Sequence, residues 1–418
     1  MKQAADFPAV AEMTETCGCA TREARNLYDF DSVIDRHGTG CTKLEDLKTL
    51  FGKDDLTALW IADMDFRVCP EITEALQRRI SHPIYGYSLP SSGYWKSIIS
   101  WLDRRHNWQV SREEMTFVPG VVKGIGFALN FFTRKGDGVL IQPPVYHPFR
   151  RLIEGNGRRL VAAPLKFDRA TMTYSMDLDE LERIVSFERP RMMILCNPHN
   201  PIGLQWNRET LARVGHIARK YNMVVISDEI HGDLVLDGKP HYPFAASGDD
   251  ARAVAVTFGA PSKTFNIPGL VSSWCVVQNP ELRHDFFEWL EVNEFDATTF
   301  VSTIGAEAAY TKGERWLGEA VAYIEDNIAF TERFLAERLP QVRMARPQAS
   351  FLIWMDFSGL GLDHNALVDL VVNRAGLALN DGEMFGDEGR GFMRVNIATP
   401  RCCLKAALER LEAAVKTL

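Results

Sequence analysis

The 418-residue sequence contains no apolar run long enough to span a bilayer. Its first twenty residues, MKQAADFPAVAEMTETCGCA, lack the apolar core of a secretion signal. Positive charge is not in excess. Lys and Arg total 47 against 55 Asp and Glu, a formal net charge of −8, which argues against a nucleic-acid surface, where phosphate neutralisation requires clustered cations. The eight cysteines form no zinc pattern. Cys17-Gly-Cys19 and Cys402-Cys403 have neither a second CxxC nor a histidine at ligand spacing. No metal site is expected, and the thiols read as reduced groups of a cytoplasmic protein. There is no internal repeat, no low-complexity block and no P-loop, since GK[ST] is missing after the one glycine turn that invites comparison, VPGVVKG at 118–124.

What is present is an ordinary globular composition, 46% hydrophobic and 24% charged, in a chain whose length suits two domains. From about 113 to 278, short apolar runs alternate with amphipathic stretches such as NRETLARVGHIARKYN (207–222). The expected strands are MTFV (115–118), GVLI (138–141), RLVAA (159–163), MMILC (192–196), MVVI (223–226), AVAVTF (253–258) and SWCVV (273–277). This alternation predicts an α/β domain with a mostly parallel sheet and helices on both faces. After Pro280 the pattern turns to long helices, then strands at 351–357 and 392–398 and a closing helix. The expected division is a tail at 1–27 that is mobile, a large domain at 63–295, and a small α+β domain from 28–62 and 296–418.

Three of the strands end in polar groups that belong together chemically. In open α/β sheets, ligands bind beyond the C-terminal strand ends. Lys263, in APSKTFNIPGL (260–270), follows AVAVTF and is placed to form a Schiff base with a carbonyl cofactor. Asp228, in SDEIHGDL, follows MVVI and suits a protonated pyridine nitrogen; Ser227-Asp228-Glu229 would equally fit a helix N-cap. Asn200, in NPHNPIG, follows MMILC and can donate to a phenolic ring oxygen, or simply form a turn. Each residue alone has an ordinary explanation, a solvated lysine included. An Asn, an Asp and a Lys each closing a separate buried strand are harder to obtain by chance.

With WIADMDF (60–66), YGYS (85–88), PPVYHPF (143–149) and GFMRVNIATPR (391–401), these motifs resemble the class I/II aminotransferase family of fold-type I pyridoxal 5'-phosphate (PLP) enzymes. Within it, WIADMDF and the histidine of SDEIH resemble the MalY/PatB branch of cystathionine, or cysteine-S-conjugate, β-lyases. The resemblance runs from about Tyr28 to the C-terminus. It implies a PLP cofactor, an amino-acid substrate, and a homodimer with shared active sites.

The remaining candidates follow from residues and resemblance together. The backbone N–H groups of Gly120, Val121 and Val122 open a helix and could bind phosphate, although a plain βα turn reads the same way. Tyr146 could stack on a pyridine face or pack in the core. Arg394 could clasp a carboxylate bidentately or lie on the surface; the resemblance aligns it with the arginine that holds the substrate's α-carboxylate, with Arg401 the weaker choice. The resemblance also makes Tyr87, rather than Tyr85, a phosphate contact reaching across the dimer. The chain departs from the general aminotransferase pattern twice. His231 stands where tyrosine is usual, and Val271 stands where many relatives carry a phosphate-binding arginine, which leaves more of that work to Ser262. Both departures favour a carbon–sulfur β-lyase over an aminotransferase, the first rival. A regulator built on the same fold is the second.

Overall fold

The computed structural model describes residues 27–418, so that the predicted N-terminal tail lies outside it except for Leu27. Seven strands form the main sheet: β1 (Met115–Val118), β2 (Gly138–Ile141), β3 (Arg159–Ala162), β4 (Met192–Cys196), β5 (Val224–Asp228), β6 (Ala255–Gly259) and β7 (Ser273–Val276). Their order is β1-β7-β6-β5-β4-β2-β3. Only β7 runs against its neighbours. After β2 the chain moves outward to β3, then returns on the other side of β2 with β4. The reversal opens a crevice at the C-terminal ends of β2 and β4, the position where such sheets bind ligands.

Strand β4, at the centre of the sheet, is apolar throughout because both its faces are covered. Every residue of β4 is buried. Met192, Ile194 and Cys196 enter the core on one side with Ile226, Val256 and Phe258. Met193 and Leu195 enter the core on the other side with Val225. This period-two parity carries on to the strand end, where Asp228 pairs with Cys196 and Phe258 and shares their face.

Helix α1 (Pro70–Ile80) and helix α2 (Ser92–His106) precede the sheet strands. Helix α3 (Val121–Phe132) packs on β5 and β6, and helix α4 (Arg208–Lys220) joins β4 to β5. The Asn207 side chain caps α4 by accepting from Thr210 N, and Leu211, Val214 and Ala218 form its buried stripe. Helix α5 (Phe300–Lys312) packs against α1 and α2, and the long α6 (Glu314–Arg338) follows.

A second sheet contains β8 (Arg343–Ala345), β9 (Leu352–Asp356), β10 (Asn380–Asp381) and β11 (Phe392–Asn396) in the antiparallel order β8-β9-β11-β10. Helix α7 (Arg401–Val415) closes the chain. Thr57–Ala58 pairs in parallel with Leu377–Ala378, which ties the N-terminal arm to this second sheet's side of the molecule. Among the described residues no helix is long and apolar enough to cross a membrane.

Candidate active site

Strand parity and the βα turns bring most of the sequence candidates, though neither Arg394 nor Tyr87, to the lining of one cavity of about 300 Å³ at the C-terminal end of the main sheet. Lys263, Asp228, Asn200, His231, Tyr146, Ser262, Gly120, Val121 and Val122 all line it. Asp228 is the last residue of β5, and no α-helix starts there, so its N-cap alternative is excluded. Lys263 lies on a single helical turn, Pro261–Thr264, just beyond β6. That strand begins at Ala255 rather than at Ala253, because Asp249–Val254 forms a short helix first.

The electrostatics follow from burial. Lys263 is pushed down to about 8, first by desolvation and then by the positive Arg394, against the pull of Asp63 and Asp228. Its Nζ donates to the Ala62 carbonyl at 2.5 Å. The Asp228 carboxyl is pushed up to about 7 by desolvation, despite accepting from Ile230 N at 3.2 Å. Among the described residues no cation pairs with it. A buried carboxyl in that condition lacks a positive donor. His231 is driven down to about 3 by desolvation and by the charges of Lys263 and Arg394, and its Nδ1 is buried without a partner. The imidazole is therefore neutral. Burial raises the Tyr146 phenol, and Arg394 opposes the shift.

Arg394 is 3% exposed, which removes its surface reading. It projects from β11, where it sits opposite Asn380. Its Nη1 donates to Asn200 Oδ1 at 3.1 Å, and Nη2 donates to Trp60 O at 2.9 Å and Asn380 Oδ1 at 2.5 Å. Nε has no partner. Because Asn200 Oδ1 is engaged by Arg394, its Nδ2 is the atom left to donate into the cavity. Arg401 is turned elsewhere, with Nε on Asn327 Oδ1 at 2.6 Å and its guanidinium over Phe330.

The opposite end of the cavity is built from backbone. Gly120, at φ 114°, caps α3 in a region that favours glycine, and a Cβ there would meet nothing within 4 Å. The sequence expectation is corrected at Gly120, whose N–H donates to Val118 O at 2.9 Å; the N–H groups of Val121 and Val122, in the first turn of α3, are the ones left for an anion. Val271 lines this end at φ 53°, a strained conformation for a β-branched residue. Tyr87 is fully exposed and does not line this cavity. Tyr85 stacks on Phe300, and its hydroxyl donates to Ile80 O at 2.7 Å.

Sequence reasoning missed Ala62, Lys123, Ile230, Pro268 and Ser273, all of which line the cavity. For Lys123 a signal existed: it is the third residue of a helix that begins at the phosphate-type turn. Ala62 left none, since it acts through its carbonyl.

The donor set fits a flat, phosphorylated carbonyl cofactor such as PLP. It offers a lysine for the carbonyl, an unpaired carboxyl for a ring nitrogen, an amide donor for a ring oxygen, an aromatic ring for its face, and a helix N-terminus for phosphate. Residues 54–411 match the family model of aminotransferase class I and II. The chain belongs to this family. It is 41% identical over 388 residues to the cystathionine β-lyase PatB of Bacillus subtilis (strain 168), covering 93% of this chain and 100% of the relative. It is 31% identical over 396 residues to the protein MalY of Escherichia coli (strain K12), covering 94% and 100%. Among solved structures it is similar to cystalysin from Treponema denticola, which contains a pyridoxal 5'-phosphate cofactor, with a TM-score of 0.89, 30% identity, and coverage of 94% and 100%. Similarity of this extent, over this family's full domain, establishes the fold-type I architecture.

Proposed function

We propose that this chain is a PLP-dependent carbon–sulfur β-lyase acting on cystathionine, cysteine or a related cysteine S-conjugate. The substrate and one water become a thiol, pyruvate and ammonia. The observation that carries the reading is the meeting, in a single cavity, of a desolvated lysine and a buried carboxyl without a cation, with the buried Arg394 hydrogen-bonded to Asn200 on the cavity wall. It is reinforced by the 41% identity to PatB.

When bound, the cofactor supplies a protonated ring that accepts the electron pair left at the substrate's α-carbon. Asp228 holds the ring-nitrogen proton, since a pyridinium gives its buried carboxylate the cation it lacks. Asn200 Nδ2 donates to the ring oxygen, and the neutral His231 adds a hydrogen bond without adding charge. Tyr146 covers one ring face. Val121 and Val122 would offer backbone N–H groups to the phosphate, joined by Ser262 and Lys123, whereas the Gly120 N–H is spent on Val118 O at 2.9 Å. Arg394, whose Nη2 is spent on Trp60 O and Asn380 Oδ1, would offer its unpartnered Nε–H to the α-carboxylate and so orient the α-proton. Lys263 is the residue that would hold the cofactor's carbonyl carbon, and as a free amine it would move the substrate's α-proton. An amine near 8 has a usable neutral fraction around neutral pH, whereas one at 10.5 has almost none.

The reading includes a homodimer in the cytoplasm, with Tyr87 reaching the phosphate of a second copy, and a large domain at 63–295 against a small one from 28–62 and 296–418. Ile84, Tyr85, Tyr87 and Leu89 expose a run of large apolar side chains, which supports a covered face there.

Purified protein with cystathionine is the test. Pyruvate, ammonia and thiol in equal amounts, without added keto acid, are expected. Product formed only with a keto acid, with the cofactor otherwise left as its amine, would make the protein an aminotransferase.

A further inference from the structure

The Lys263 amine has a specific partner in the fold: Nζ donates to Ala62 O at 2.5 Å. Ala62 belongs to the segment Trp60–Phe66, which is pinned from both sides of the molecule. Asn396 Nδ2 donates to Ile61 O and to Asp63 O, each at 2.6 Å. Asn266, three residues beyond Lys263, accepts from Met64 N at 2.9 Å and donates to Met64 O and Phe66 O at 3.0 Å. Trp60 O accepts from Arg394 at 2.9 Å. One short segment therefore touches both the lysine and the carboxylate-binding arginine.

The next side chain along is Asp63. It is fastened rather than mobile: Arg36 forks onto it with Nη2 to Oδ2 at 2.7 Å and Nη1 to Oδ1 at 3.1 Å, and Lys43 lies 3.5 Å from Oδ1. Asp65 completes a quartet with Arg36 and Lys43, each at 2.8 Å. Lys43 is 1% exposed, a depth at which charge survives only when paired. Asp63 and Lys263 face a shared second cavity of about 570 Å³, which meets the first at Ala62 and Lys263. The charged and titratable groups acting on Lys263 are Arg394 on β11, Asp228 at the end of β5, His231 just beyond it, and Asp63. Asp228 is committed to the cofactor ring in the proposed function. That leaves Asp63, which lines the second cavity together with Lys263, as the other carboxylate acting on the lysine.

We propose that Trp60–Phe66 is a dock for the freed Lys263 amine, with Ala62 O as its acceptor and Asp63 as the positioning carboxylate that stabilises positive charge on it. The proton that Lys263 removes from the substrate is then held as an ammonium between Ala62 O and Asp63 until it is passed on. In that step the C–H bond breaks and an N–H bond forms, the electron pair would be taken up by the bound cofactor, and the proton's charge stays on the lysine. Arg36 and Lys43 weaken the field of Asp63, so the lysine is not locked in its charged form. The inference rests on Lys263 being the cofactor lysine.

The sign of the effect makes it testable. The visible absorbance of the bound cofactor reports the protonation of its link to Lys263 and can be titrated with pH in the holoenzyme. Asp63→Asn removes the stabilising charge and is expected to move that midpoint down by about one pH unit, with kcat falling about tenfold and KM changing less than threefold. Arg36→Gln unmasks Asp63 and is expected to move the midpoint up. Asp63→Glu keeps the charge and should stay closer to wild type than to Asp63→Asn. A contribution through packing alone would not give opposite signs. Midpoints that do not move, or that move the same way in Asp63→Asn and Arg36→Gln, would overturn the proposal. If Asp63→Asn fails to fold, a downward or absent shift in Arg36→Gln overturns it alone. Wild-type protein with no visible cofactor band would instead sink the proposed function, which keeps the two failures apart.

Discussion

Lys43 and Asp356 lie deeper than Lys263 and Asp228 but are held in salt bridges, whereas among the described residues neither Lys263 nor Asp228 is. Lys263→Ala should abolish the covalent adduct that borohydride traps in the holoenzyme and collapse β-elimination. A labelled peptide containing a different lysine would refute the assignment. Asp228 gives a prediction about stability in the cofactor-free protein. Its carboxyl is raised from 3.8 to about 7, so the folded state keeps a proton that the unfolded chain releases. The contribution is fully present below about 4 and is lost as pH rises to about 7, because there the folded state binds more protons than the unfolded one. Asp228→Asn removes that loss. Urea midpoints of wild type and variant should therefore diverge in the variant's favour between those pH values, and parallel curves would contradict the shift. With cofactor bound, the same variant should retain it yet turn over at least about tenfold more slowly, since an amide cannot hold the ring proton. Val271 is a residue-scale defect: a β-branched side chain at φ 53° costs on the order of 1 kcal/mol or more. Val271→Gly should raise the thermal midpoint, which calorimetry would show.

At the scale of elements, what matters is where each strand and helix ends. Asp228 reaches the cavity because β5 runs one full pleat past Ile226, in register with Cys196 and Phe258. A one-residue slip would turn it to the opposite face. The phosphate end depends on the α3 N-terminus being open. Gly120→Val should impose strain at φ 114° and weaken cofactor binding more than it changes KM for cystathionine, as equilibrium dialysis with PLP would measure. Helix α4 provides a contrast away from the site. Asn207→Ala removes the cap on Thr210 N, at 2.7 Å, and should cost about 1 kcal/mol in urea unfolding with an unchanged m-value and unchanged kcat.

Across the whole molecule the site is assembled from parts distant in sequence. Arg394 on β11 meets Asn200 beyond β4, and Trp60 in the N-terminal arm closes the third side. The exposed stretch from Ile84 to Leu89 extends the argument to a second copy. Light scattering is expected to give twice the chain mass. Tyr87→Ala should weaken PLP binding about tenfold or more if a lost charge-assisted hydrogen bond of roughly 1.5–3 kcal/mol is involved. A monomeric wild type that binds PLP and turns over cystathionine would reject the shared-site reading.

The sequence by itself determined the α/β alternation, the strand ends carrying Lys263, Asp228 and Asn200, and the family. Those signals are local: apolar runs of strand length, followed by polar residues that a buried strand would not otherwise place at its end. The tertiary structure alone decided that Arg394 is buried with Nε free, that Asn200 is left with Nδ2 as its donor, that His231 is neutral, and that Ala62 O meets Lys263. Each of these depends on long-range packing. The sequence specifies which groups exist, but desolvation and hydrogen-bond partners, which set their charge and their free atoms, arise only once residues hundreds of positions apart exclude water together.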